Sequence, residues 1–283
     1  MTNEIVEDAA GYTVAAADIY AAFRAMPAST SVADDWNAMA AVEQAVSGRS
    51  GLRIVDLGCG PGTRTRQIAS MPEAAITVGV DRSRDQLALA RAAAGSEDCR
   101  FYFGDLVALG AGDGDWAAGA DAVADLLGSF DVAVMGFVTS HAATQDELDA
   151  MLRAAAAFLN PGGRLIVIDA HPALDLAPFP RCDQYGVIKR FVLPDGHTGV
   201  VPAFTKIRTT FVTPGGELTV EDYFHDVHSW SAAVEAAGLT GLTIENLSAP
   251  PGPDPGFWDP YIISGHPAGC SHAAVIRACK PEQ

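Results

Sequence analysis

Residues 53–62 read Arg-Ile-Val-Asp-Leu-Gly-Cys-Gly-Pro-Gly, and no other run constrains the fold of this chain as strongly. Its first half is β-forming and carries an acid, Asp56, one residue before the turn. Gly58, Gly60 and Gly62 then let the backbone bend sharply and let a ligand approach where a Cβ would clash. A polar stretch from Thr63 to Gln67 opens a helix, so free peptide N–H groups gather at the turn. The spacing is G-x-G-x-G, not the G-x-G-x-x-G of dinucleotide folds. With Asp56 beside that cradle, a ligand bearing a cationic amine suits the site better than a pyrophosphate, which the carboxylate repels.

The strand-then-helix rhythm continues. Strands are expected at 52–57, 76–80, 100–103, 130–135 and 164–169, and helices at 63–70, 83–94 and 145–159. Short apolar strands separated by amphipathic helices imply a parallel sheet covered on both faces. Upstream, residues 14–47 carry two Ala-rich helical stretches around a polar break at 27–31. Beyond Asp169 the texture changes. Residues 186–221 read as antiparallel strands, with turn signals at Pro194-Asp195-Gly196 and Pro214-Gly215-Gly216. A helix over 229–237 with Ser229 as its N-cap, a strand at 242–247 and a last strand at 271–279 complete the pattern.

Charge narrows the partners. There are 35 Asp and Glu against 18 Lys and Arg, a formal charge of −17, and Lys189-Arg190 is the only adjacent basic pair. Such a field repels polyphosphates, so no nucleic-acid partner is expected. Five cysteines without a C-x-x-C pair read as free thiols in a reducing compartment, and the cytoplasm is the expected location. No basic-then-apolar leader opens the chain, and apolar runs such as 165–168 are far too short to cross a bilayer.

Three acids close three successive strands: Asp56, Asp81 (25 residues later) and Asp105. Together with the 53–62 run, this arrangement resembles motif I and the following elements of the class I S-adenosylmethionine (SAM)-dependent methyltransferases, closely over 52–165 and by layout beyond. The resemblance implies an α/β fold: a Rossmann-like seven-stranded sheet with helices on both faces, its last strand inserted antiparallel. It implies SAM as cofactor and S-adenosylhomocysteine as product. The turn residues Gly58, Cys59, Gly60, Gly62 and Thr63 would then cradle the cofactor beside Asp56. Asp81, flanked by Arg82 and Gln86, would accept the ribose hydroxyls, and it also sits where a helix N-cap region is expected. Gly104, Asp105 and Leu106 would meet the adenine, Gly136 and Phe137 would border the sulfonium, and Tyr12 and Tyr20 would close over the cofactor. Cys59 is expected to pack as a thiol, since no local cation or base activates it.

On the same reading, residues 1–48 form a helical lid and 170–228 a β cap over the acceptor site, all within one domain. The Asn/Asp-Pro-Pro-aromatic string of enzymes that methylate base amines is absent at 135–141, in keeping with the charge. Tyr185-Gly186, Tyr223-Phe224 before Trp230, and Phe257-Trp258 resemble a bacterial group that includes the toxoflavin-synthesis methyltransferase. The expected acceptor is therefore the N, O or C atom of a small heterocyclic or aromatic metabolite of natural-product type. His141, His171, Tyr185 and His225 are the candidate proton acceptors, His141 also bordering the cofactor. Asp169, His171, Asp222, His225 and His228 are metal-ligand types, but the short D-x-H spacing argues against a metal. Two rivals share the sheet: a SAM-binding protein running another reaction such as a cyclisation, and an NAD(P) oxidoreductase, which the glycine spacing disfavours. A monomer or homodimer is expected.

Overall fold

The computed structural model describes residues 14–93, 95, 98–111, 123–176, 182–197, 199–251, 256–262 and 269–282. Tyr12 lies outside them. Among the described residues ten strands and eight α-helices follow in order: α1 (Val14–Arg24), α2 (Thr30–Val46), β1 (Leu52–Leu57), α3 (Thr63–Ala69), β2 (Ala74–Asp81), α4 (Arg84–Ala92), β3 (Cys99–Phe103), α5 (Leu106–Gly110), β4 (Phe130–Gly136), α6 (Gln145–Phe158), β5 (Leu159–Ala170), β6 (Val187–Phe191), β7 (Lys206–Thr213), β8 (Gly216–Tyr223), α7 (Val227–Ala236), β9 (Thr240–Asn246), α8 (Asp259–Ile262) and β10 (Ala273–Cys279).

Seven strands make one sheet in the order β3-β2-β1-β4-β5-β10-β9. β1 to β5 run parallel, and β10 enters antiparallel between β5 and β9. The strand order reverses between β1 and β4, the place where open α/β sheets leave a crevice at their carboxyl ends. Both faces are buried, as the apolar strands require. Val55 and Leu57 of β1 join the core under α6 and α7, with Met135, Leu152 and Trp230. Ile54, one residue out of phase, joins the opposite core with Val134, Ile168 and α2 residues such as Ala38 and Val42. Residues alternate sides along a strand, so Asp56 points to the Ile54 face, towards α2 and α3.

β6, β7 and β8 form a separate antiparallel sheet. One of its faces packs on α1, where Leu218 and Val220 meet Ala16 and where Phe211 lies 5.3 Å from Tyr20 and 4.7 Å from Phe23. α2 is a covering layer of the main sheet and part of its core. The N-cap of α7 is Asp226 and not Ser229: Asp226 Oδ1 accepts from both the backbone N–H and the hydroxyl of Ser229, each at 2.8 Å. An aspartate one turn earlier outcompetes the serine because its carboxylate can take two donors at once. No described helix is long and apolar enough to cross a membrane.

Candidate active site

The glycine turn after β1 is left-handed at all three positions, with φ of 71°, 53° and 73° at Gly58, Gly60 and Gly62. Their surroundings differ. A Cβ at Gly58 would run into Val138, and one at Gly62 would meet the Phe101 ring at 2.9 Å. At Gly60 a Cβ would meet only ordinary van der Waals neighbours, Tyr20 at 3.7 Å and Gln86 at 4.0 Å, so this is the least crowded of the three.

Asp81 holds the turn in place. Its Oδ2 accepts the Gly60 N–H and its Oδ1 the Ser83 N–H, both at 2.8 Å. Burial raises its pKa, against those two amides, which favour the charged form. Each carboxylate oxygen keeps a second lone pair. Beside it Gln86 is buried, and neither its amide oxygen nor its amide nitrogen has a hydrogen-bond partner. Asp105 caps α5 through Oδ1, which accepts from Val107 and Ala108, so its Oδ2 takes no part in the cap. Gly58, Cys59, Gly60, Asp81, Arg82, Gln86, Gly104, Asp105 and Leu106 all line a single cavity. Cys59 is buried, and burial holds its thiol well above the ordinary range, so it packs protonated.

Asp56, Gly62 and Thr63 do not line that cavity. The Asp56 side chain is wholly buried and accepts from Thr65 Oγ1 at 2.7 Å, while its Oδ1 lies 3.7 Å from Arg64 Nη1. Arg64, which sequence reasoning passed over, stands between Asp56 and the cavity. Its Nε and Nη2 donate to Asp35 Oδ1 at 3.2 and 3.0 Å, and Arg24 donates to Asp35 Oδ2 at 2.6 Å. Burial alone would raise the Asp35 pKa, but the two guanidinium groups outweigh it and hold the carboxyl low. α1, α2, α3 and β1 are thereby joined by one buried ionic chain. Arg24 and Arg64 line the cavity together with Gly136, Phe137 and Tyr20. Phe137 has a φ of 55°, a left-handed conformation uncommon for a bulky residue and frequent where a site over-determines the backbone.

The small sheet closes the other side of the cavity. Val187 and Lys189 of β6, Thr209 and Phe211 of β7, and Val220 and Asp222 of β8 all face into it. The Lys189 ammonium lies 4.8 Å above the Phe137 ring. Asp222 Oδ2 accepts from Thr209 Oγ1 at 2.6 Å, and its Oδ1 lies 3.6 Å from His141 Nδ1.

Of the four predicted proton acceptors, His141 alone lines the cavity. His171 Nδ1 accepts the Ala173 N–H and shapes a turn. His225 Nε2 lies 2.8 Å from the Ala142 carbonyl, and its ring is packed against Phe204 and Trp230. Burial lowers its pKa, so the neutral ring donates to that carbonyl. Tyr185 is fully buried. Its hydroxyl donates to Phe257 O at 2.6 Å and its ring stacks on Trp258 at 5.4 Å. The residue that reaches the cavity from this aromatic cluster is Tyr261, with His272 stacked on it at 5.2 Å. Asp34 of α2 completes the wall: its Oδ1 accepts from the Tyr261 hydroxyl at 2.7 Å. Burial pushes the Asp34 pKa up to about 7. The signal for Asp34 was present, because Thr30, Ala38 and Ala41 share its helix face at i−4, i+4 and i+7 and are all buried. Among the described residues, no group of three His, Cys, Asp or Glu side chains could hold a metal ion.

Residues 55–165 match the family described as "Methyltransferase domain". The N-demethylindolmycin N-methyltransferase of Streptomyces griseus is 28% identical over 201 residues, covering 70% of this chain and 73% of that protein. A SAM-dependent methyltransferase from Clostridium acetobutylicum superposes with a TM-score of 0.57 at 15% identity, covering 87% of this chain and 91% of its own. SAM-bound CalS10 is an amino pentose methyltransferase of calicheamicin biosynthesis from Micromonospora echinaspora. It superposes with a TM-score of 0.53 at 17% identity, covering 97% and 99% of the two chains.

Proposed function

We propose that this protein is a SAM-dependent methyltransferase acting on a small heterocyclic or aromatic metabolite, with a nitrogen atom as the favoured acceptor. One observation carries the reading. A single cavity joins the Gly60–Asp81–Asp105 end, suited to an adenosine, to an aromatic and polar chamber under the small sheet. The cofactor fits the residues present. Gly60 is the least crowded glycine of the turn, Gln86 has a buried amide without partners, and Asp81 and Asp105 keep acceptor capacity. Arg24 and Arg64, at the other end, suit the methionyl carboxylate. The preference for nitrogen rests on the Streptomyces relative, whose name specifies N-methylation.

When bound, SAM supplies a methyl group made electrophilic by its sulfonium, so the protein's main task is alignment. Orientation of this kind can contribute roughly 7–11 kcal/mol. Tyr20, Phe211 and the β6–β8 sheet exclude water, with α1 acting as a lid and the small sheet as the cap. His141, held towards Asp222, is the residue placed to take a proton from an N or O acceptor.

Calorimetry with SAM tests this reading. Wild type should bind, and Asp81→Ala should lose the acceptor for two ribose hydroxyls, each worth about 1.5–3 kcal/mol. Together they amount to about 3–6 kcal/mol, so a loss of about a hundredfold to ten-thousandfold is expected. Because Asp81 also secures the Gly60 N–H, urea unfolding of the variant must show that it remains folded. No binding by wild type, or unchanged binding by folded Asp81→Ala, refutes the assignment. Release of S-adenosylhomocysteine on addition of an acceptor separates methyl transfer from another SAM-assisted reaction.

A further inference from the structure

Two neighbouring acids on α2 are buried in different ways. Asp35 lies between two guanidinium groups, the usual solution for a carboxylate out of water. Asp34 is 2% exposed, yet no described cation touches its carboxylate, and the one hydrogen bond it accepts comes from the Tyr261 hydroxyl. Tyr261 is itself fixed, stacked on His272 at 5.2 Å and edge-on to Tyr185 at 5.8 Å. The pair lines the cavity, as do Cys182, Val187 and Lys189. The Lys189 ammonium is within electrostatic range of Asp34, but it sits over the Phe137 ring. Phe211, Val187 and Phe137 add aromatic and aliphatic surface to the same cavity. An incompletely paired buried acid and a lysine, set in aromatic walls, form a chamber with two polar handles of opposite sign.

We propose that Asp34 and Lys189 are the polar anchors of the methyl-acceptor subsite, Asp34 receiving an N–H group and Lys189 a carbonyl or carboxylate oxygen. The acceptor class is thus a flat molecule carrying both an N–H donor and such an oxygen. The assignment rests on the methyltransferase reading of the same cavity, and it adds Asp34, Tyr261 and Lys189 to the residues that determine specificity. Tyr261 acts as a positioning residue, holding the Asp34 carboxylate through Oδ1 so that Oδ2 is presented to the chamber.

The experiment uses four probes at millimolar concentration, followed by calorimetry on the full-length protein with and without S-adenosylhomocysteine. 4-(Aminomethyl)benzoate carries both groups, benzylamine and benzoate carry one each, and benzyl alcohol carries neither charge. Wild type should bind the first probe at least tenfold more tightly than benzyl alcohol. Asp34→Asn keeps an acceptor for the Tyr261 hydroxyl. It should lose the preference for benzylamine over benzyl alcohol while that for benzoate persists, and Lys189→Met should do the reverse. Absence of binding, or equal binding of all four probes, overturns the proposal. So does a preference that survives in both variants. SAM affinity is measured on the same proteins and should be unchanged. Should SAM fail to bind wild type while the probe pattern holds, the methyltransferase reading falls and the two anchors stand.

Discussion

Asp34→Asn should change the pH dependence of stability in a direction opposite to that of an ordinary acidic residue. Burial raises the Asp34 pKa from 3.8 to about 7, against the Tyr261 hydroxyl and the charges of Lys189 and Arg24, and with Asp35 adding to the rise. The folded chain therefore holds this proton between about pH 4 and pH 7, where the unfolded chain has already lost it. Wherever the native state binds more protons, stability falls as pH rises, so the loss accumulates across that window and levels off above it. A difference of about three pKa units at about 1.4 kcal/mol each amounts to about 4 kcal/mol. Asparagine is neutral throughout and still accepts the Tyr261 hydrogen bond, so its contribution does not depend on pH. Urea unfolding of both proteins from pH 4.5 to 8.5 provides the measurement. Subtracting one curve from the other cancels every other titrating group. The variant should gain on wild type by about 3 kcal/mol between the ends of the range, the rest of the change lying below about pH 4.5. A flat difference curve, or a variant that loses ground as pH rises, would refute the account of Asp34 as an incompletely paired buried acid.

Gly136→Ala should destabilise the fold by about 3–5 kcal/mol in urea unfolding, the usual cost of breaking a buried ion pair. Its Cβ would lie 2.5 Å from the Arg64 guanidinium carbon, which cannot swing away without leaving Asp35; a variant within about 1 kcal/mol of wild type would show that it can. Tyr185→Ala should lower stability by about 3–5 kcal/mol through loss of a buried ring, with SAM affinity unchanged. Full stability of that variant, or a selective loss of SAM binding, would place Tyr185 at the site and not behind it.

The main sheet was legible because each strand is a short apolar run bounded by a turn signal, and its two faces are covered by helices with matching apolar stripes. The ends of elements were less so. β5 begins at Leu159, five residues before the expected start, because its pairing with β4 shifts register around the Asn160–Gly163 turn. That Asp81 and Asp105 line one cavity with the glycine turn followed from local order alone, since Asp81 ends β2 and Asp105 lies two residues beyond β3. Asp56 did not. Its place at the end of β1 suggests the crevice, but the alternation of side chains sends it to the α3 face, and Arg64 then stands in front of it. Arg64 and Asp35 are 29 residues apart, and no local pattern announces that they meet. Tyr185 was a comparable case, an aromatic at the entrance of the inserted block whose partners, Phe257, Trp258 and Tyr261, lie more than seventy residues further on.

The treatment of Asp34 and Asp35 connects stability to function. Consecutive residues on a helix point about 100° apart, so one turn of α2 can address two environments. Asp35 faces Arg24 and Arg64 and ties the N-terminal helices to the glycine turn. Asp34 faces the chamber and is left with a hydroxyl. Its neighbour shows that this protein can bury a carboxylate with full compensation, so the weaker arrangement one residue away marks a position held for something other than folding. A residue kept for packing would leave the protein weaker when replaced. Asp34→Asn should instead leave it stronger above pH 7 while the N–H probes are lost, and that combination is what separates a binding role from a structural one.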